Sequence, residues 1–163
     1  ENCTFAGNEA GSYGGAIRLN SGSATLNVKN SIFWTNSAPY GGINIQNLGV
    51  LNISYSCLNT GAGHVDGGTI NLGTGLMNAN PLFARDTYPF DVHLKSRFGR
   101  WDPGLATWVK DEVTSPCLDA GDPTSDWSNE PAGNGERINL GRYGNTPEAS
   151  RSSSRGGTMF MVR

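Results

Sequence analysis

Residues Gly14 to Phe83 say the same thing three times: GGAIRLNSGSATLNVKNSIFW from Gly14, GGINIQNLGVLNISYSCL from Gly41, and GGTINLGTGLMNANPLF from Gly67. Each copy opens on a Gly-Gly pair, enters a short alternating run, crosses a loop, and reaches Leu26-Asn27, Leu51-Asn52 or Met77-Asn78 before a second apolar run. A period of roughly 26 residues lies in the range of stacked repeats. Asn2-Cys3-Thr4-Phe5 and Asn30-Ser31-Ile32-Phe33 repeat the closing run in register, so the chain is expected to begin inside a repeat.

So short a unit has no room for two helices, and its apolar residues alternate with the period of a strand, as in Ile17 and Leu19 or Ile43 and Ile45. Stacked strands place equivalent side chains over one another about 4.8 Å apart. The predicted columns are Ile17/Ile43/Ile70, Leu26/Leu51/Met77 and Phe5/Phe33/Leu58/Phe83. Asn27/Asn52/Asn78 then form a polar column, with Asn suited to a left-handed turn. The predicted fold class is all-β, a right-handed parallel β-helix in which no single coil buries its own apolar face, with an irregular C-terminal cap.

The chain has 163 residues, 23 of them Gly, with 16% charged residues and a net charge of -2, which fits an extracellular all-β protein. No basic run is present to take nucleic acid as a partner, and no apolar stretch is long enough for a membrane span. Charge is unevenly placed: Glu1, Glu9, Arg18, Lys29 and Asp66 are all that residues 1–80 carry. After Pro81 the repeat stops and turn signals crowd in, among them Asp102-Pro103-Gly104, Gly121-Asp122-Pro123 and Gly133-Asn134-Gly135. The predicted organisation is coils over 1–83, a cap continuous with them over 84–150, and a linker and apolar tail over 151–163. The cap is expected to fold across the open end of the last coil, with short strands at Asp91–Leu94, Trp108–Val109, Cys117–Leu118 and Ile138–Leu140.

Several of these segments carry a resemblance. Asp91 to Ser96 (DVHLKS), Gly99 to Pro103 (GRWDP), Ser115 to Pro123 (SPCLDAGDP) and Arg137 to Thr146 (RINLGRYGNT), with Asn80 to Phe83 (NPLF), resemble the C-terminal part of secreted bacterial right-handed parallel β-helix surface proteins of the choice-of-anchor type. The resemblance spans about residues 1–150 and implies the fold and export to the cell surface. It implies no particular activity.

Three function classes can be weighed on the residues. Polysaccharide lyases and hydrolases need carboxylates on the coils, and the repeats offer only His64 beside Asp66, so the chain is expected to be no enzyme. Carbohydrate binding would use exposed rings, for which Tyr13, Trp34 and Tyr40 near the coil corners are the candidates, making a cell-surface polysaccharide the alternative partner. The expected function is structural: a self-assembling extracellular protein in which Asn2 and Phe5 offer an open strand edge. A tail of Thr158, Met159, Phe160, Met161 and Val162, released by the linker from Arg151 to Gly157, completes the neighbouring copy's sheet to give filaments or a surface layer.

Two smaller readings concern the cap. No cofactor is expected; Ca²⁺ is the ion that Asp119, Asp122, Asp126, Glu130 and Glu136 would take, although their spacing matches no calcium loop and Asp119 is expected to pair with Arg137 or with backbone amides. Of Cys3, Cys57 and Cys117, the last two are placed to form a disulfide stapling cap to coils, worth about 2 to 4 kcal/mol, unless they are buried as small hydrophobes.

Overall fold

A computed structural model describes residues 1–153. Among them are twelve strands and no helix. The first eight are β1 (Thr4–Ala6), β2 (Ile17–Leu19), β3 (Thr25–Lys29), β4 (Ile32–Trp34), β5 (Ile45–Asn47), β6 (Val50–Ser54), β7 (Val65–Asp66) and β8 (Thr69–Leu72). They pair in parallel as three columns, β1-β4, β2-β5-β7 and β3-β6-β8, with the first column lengthened by the bridges Ile32↔Cys57 and Cys57↔Met77. Alternation within each strand sends one set of side chains to a common interior. Val28, Phe33, Ile45, Leu51, Ile53, Leu58 and Val65, drawn from all three columns, form a single buried cluster, and Phe5 lies stacked on Phe33 with ring centroids 4.8 Å apart.

Leu26↔Leu51, Asn27↔Asn52 and Phe5↔Phe33 pair as the repeat predicts. The third copy does not fall where Gly67-Gly68 suggested. Leu51 faces Ile70 and Asn52 faces Asn71, whereas Met77 belongs to the Ile32/Cys57 column, and Ile17 faces Ile45 and not Ile43. The reason is that Gly67 and Gly68 form the β7–β8 turn. Both have positive φ and lie so close to the backbone of Asn47 and Gly49 that a β-carbon would collide, which makes them equivalent to the turn at Leu48-Gly49 and not to the corners at Gly14 and Gly41. The repeat also contracts along the stack, with spacings of 28 residues from Asn8 to Asn36, 25 from Asn27 to Asn52, and 19 from Asn52 to Asn71.

The asparagine column is a ladder of side-chain amides on strand residues. Asn52 Nδ2 donates to Asn27 Oδ1 and Asn71 Nδ2 to Asn52 Oδ1, each at 2.8 Å. The left-handed conformation expected of that column falls instead at Asn2, Asn30 and Tyr55, where the chain turns between columns.

The remaining strands are antiparallel: β9 (Phe83–Arg85) with β10 (Asp91–Leu94), and β11 (Arg100–Asp102) with β12 (Thr107–Val109). Cys117–Leu118 and Ile138–Leu140 are not strands but segments joined by turns, with the Leu140 amide donating to the Cys117 carbonyl at 3.0 Å. The described C-terminal segment, residues 84–153, lies along the flank of the stack and not across its end. Asn30, buried, takes the Gly141 amide on its carbonyl (2.8 Å) and the Asp122 amide on Oδ1 (2.7 Å), and Thr4 Oγ1 accepts the Arg142 amide at 3.1 Å. A second apolar cluster seals this flank: Ile32, Cys57, Phe83, Leu94, Cys117, Leu118 and Leu140. Among the described residues nothing covers the far end of the stack, and Leu72, in the same row as buried Val28 and Ile53, is 54% exposed.

Candidate functional site

The outward row of the β2-β5-β7 sheet reads Arg18↔Gln46↔Asp66. At the turns leading into it, the Tyr40 amide donates to the Ser12 carbonyl at 3.1 Å, which sets Tyr40 beside Tyr13. Their ring centroids are 5.7 Å apart, tilted by 49°, and the residues are 69% and 40% exposed. The Arg18 guanidinium carbon lies 5.4 Å from the centre of the Tyr13 ring. Tyr13, Arg18, Gln46 and Leu48 line a recess of about 230 Å³. Large aromatic groups are usually covered, so two side by side in solvent above a guanidinium and an amide make a platform with an apolar floor and a polar rim. Trp34, the third aromatic candidate, is instead packed against the flank cluster.

A second, charged cleft of about 480 Å³ lies where β9, β10 and β11 meet the C-terminal segment, lined by Arg85, Asp91, Arg100, Asp102, Arg142 and Tyr143 among others. Beneath it His93 is buried, with Nδ1 2.6 Å from Asp91 Oδ1 and Nε2 3.3 Å from Glu148 Oε2, and its ring stacked on Tyr143 at 3.6 Å. Burial pushes the Tyr143 phenol above its ordinary value. Arg100 stands among three carboxylates, 3.2 Å from Asp111, 3.7 Å from Asp91 and 3.9 Å from Asp102. The wall of the cleft is thus a cross-braced network whose charged groups are already engaged. Sequence reasoning did not isolate it; the one available signal was Asp91 and His93 two apart, on the same face of a strand.

Residues 25–121, from the start of β3 to Gly121, match the family model described as "Disaggregatase related". The chain belongs to the disaggregatase-related family. No curated protein and no solved structure matches it. The matched span holds Tyr40, Gln46 and the Asp91–His93–Arg100 network, while Tyr13, Arg18, Arg142, Tyr143 and Glu148 lie outside it.

In this disaggregatase-related chain His64, Asp66 and Asp119 each have partners of their own. His64 and Asp66 are not partnered with each other: Asp66 accepts the Gly42 and Gly63 amides at 3.0 and 3.1 Å, and His64 Nε2 lies 3.2 Å from Asn59 Nδ2. Among the described residues no ion pair joins Asp119 to Arg137. Asp119 accepts the Gly135 amide at 3.1 Å, the backbone-amide alternative, while the Arg137 guanidinium donates to the carbonyls of Gly121 and Ala120. The acids considered for Ca²⁺ are dispersed, and four of the five accept backbone amides. Asp122 takes the Thr124 amide, Asp126 the Ser128 amide, and Glu130 Oε1 the amides of Asn139 and Asn145, and no three His, Cys, Asp or Glu among the described residues gather around a point.

Cys57 and Cys117 are brought together in the flank cluster as free thiols, not as a disulfide. Phe5 is half-buried under its stack on Phe33, and Asn2 donates its amide to the Lys29 carbonyl at 3.1 Å while its Oδ1 is buried without a hydrogen bond. The predicted tail, Thr158, Met159, Phe160, Met161 and Val162, lies outside the described residues.

Proposed function

We propose that this disaggregatase-related chain is a right-handed parallel β-helix module of an exported cell-surface protein, and that it binds carbohydrate without turning it over. In this reading residues 1–83 are the coils and 84–150 the segment that locks them. The carrying observation is the exposed Tyr13–Tyr40 pair above Arg18 and Gln46: the apolar face of a sugar ring stacks on such rings while its hydroxyls take the fork of the guanidinium and the amide. The absence of turnover is supported by the charged cleft, where Asp91 and Asp102 both lean on Arg100 in place of facing each other across a glycosidic bond. Glycan-array binding followed by titration calorimetry tests the reading. Tyr40→Ala is expected to weaken the best ligand roughly tenfold with its melting curve unchanged. A protein that binds no glycan, or a Tyr40→Ala variant that binds as well as the parent, overturns it.

A second reading, assembly of copies into filaments or a surface layer, is favoured by the outer edge of β8, which pairs with no strand among the described residues, and the exposed Leu72 beside it. Sedimentation and electron microscopy of the parent, of Leu72→Lys and of a chain lacking residues 157–163 decide it. Polymers that Leu72→Lys abolishes support stacking through this edge; an entirely monomeric parent removes the reading.

A further inference from the structure

Three sulfur atoms converge in the flank cluster. Cys57 and Met77 are successive members of one bridged column, and Cys117 is delivered by the C-terminal segment, its amide donating to Ser115 Oγ at 3.0 Å. Cys117 Sγ lies 3.9 Å from Met77 Sδ, and Cys57, bridged to Met77, packs in the same cluster as Cys117. Both cysteines are fully buried among Ile32, Phe83 and Leu140, whereas Met77 is half-buried and forms the side nearest solvent. Each sulfur singly is ordinary core filling, since free cysteine and methionine pack as hydrophobes. Core filling gives no reason for three sulfurs to gather when Ile32 fills the preceding position of the same column.

We propose that Cys57, Met77 and Cys117 form a three-sulfur site for one soft monovalent metal ion of the Cu(I) class. Thiolate and thioether donors select such ions, and a trigonal ion with metal–sulfur bonds of about 2.3 Å holds its donors about 4 Å apart. The separation of Cys117 and Met77 is already 3.9 Å. Among the described residues no His, Asp, Glu or third Cys joins the two cysteines, so a tetrahedral Zn²⁺ site is not completed and no carboxylate is gathered for a hard ion. Binding moves no electrons: Cu⁺ takes the two sulfurs as thiolates, both thiol protons pass to solvent, and Met77 contributes a lone pair.

The test is competition for Cu(I) against bicinchoninate under anaerobic, reducing conditions, with native mass spectrometry of the whole chain in a Cys3→Ser background. The chain is expected to withdraw one copper, and Cys57→Ser or Cys117→Ser to withdraw none. Met77→Leu, which keeps the volume and the fold, is expected to bind at least about tenfold more weakly, since even outer-shell losses cost that much. No withdrawal of copper, a Met77→Leu variant equal to the parent, or a native chain whose Cys57 and Cys117 are consumed in a disulfide each overturns the assignment.

Discussion

The stack of repeats and the segment on its flank solve the same problem by opposite means. In residues 1–82 the backbone supplies the regularity, because parallel pairing satisfies amides and carbonyls strand by strand and leaves side chains interchangeable down a column: Ile17, Ile45 and Val65, or Leu26, Leu51 and Ile70. In residues 84–153 strand pairing is sparse and side chains do the satisfying. Asp91, Asp102, Asp122 and Asp126 each accept an amide two residues further on, Asp111 accepts the Ser96 amide at 2.8 Å, and buried Asn139 takes the Asp119 amide and donates to the Ser150 carbonyl. The concentration of acidic residues in the second half is therefore largely turn chemistry, the local side-chain bonding that Asp and Asn favour.

The contrast can be broken or sharpened by substitution. The largest effect is expected in the stack: Phe33→Ala removes a buried ring and its partner under Phe5, and should cost about 3 to 5 kcal/mol in urea unfolding. One shared transition is expected; two separated transitions would show that stack and flank are independent units.

In the flank the expected effect is smaller and depends on pH. Glu130 is buried with Oε2 unpartnered, and burial pushes its carboxyl up to about 7. The folded value lies above the unfolded one of 4.5, so its stabilising contribution is complete below that value and is lost as pH rises through 7. Urea midpoints should fall between pH 5 and pH 8 by the equivalent of about 2 kcal/mol, and Glu130→Gln should remove most of that slope. A slope unaltered in the variant would assign it to another group.

The smallest effect is expected where the stack imitates the flank. Asn52→Ala cuts both rungs of the exposed amide ladder and should cost only about 0.5 to 1 kcal/mol, read from the same urea curves. A loss as large as that of Phe33→Ala would mean that the ladder, and not the interior, sets the register.

The strand columns were legible because period-two alternation and recurring Leu-Asn pairs reflect the one requirement that stacked backbones impose. Leu26/Leu51 and Asn27/Asn52 followed directly. The third repeat was misread because Gly-Gly serves at two different corners, and a glycine pair records that backbones approach closely without recording which turn they make. Placement of the flank was not legible at all. Asn30, which receives Gly141 and Asp122, looks in sequence like any other turn asparagine, and its partners lie far along the chain. At the aromatic platform, the exposure of Tyr13 and Tyr40 followed from their position at corners, whereas Arg18 and Gln46 emerged only once parallel pairing put them on one row. The convergence of Met77 on the two cysteines was hidden by the same one-station error.

The hydrogen bond from the Arg142 amide to Thr4 spans a sequence separation of 138 residues. Stacks whose units touch only their neighbours can grow from any point and fray from either end, and their folding is correspondingly local. Here a later segment closes on an earlier strand, so the stacked units wait at the ribosome without their flank, with Ile32 and Cys57 uncovered until Cys117, Leu118 and Leu140 emerge. Such long-range closure slows folding by its loop entropy. In return, fraying of β1 becomes costly, because peeling Thr4 away also breaks the clasp that joins it to Arg142.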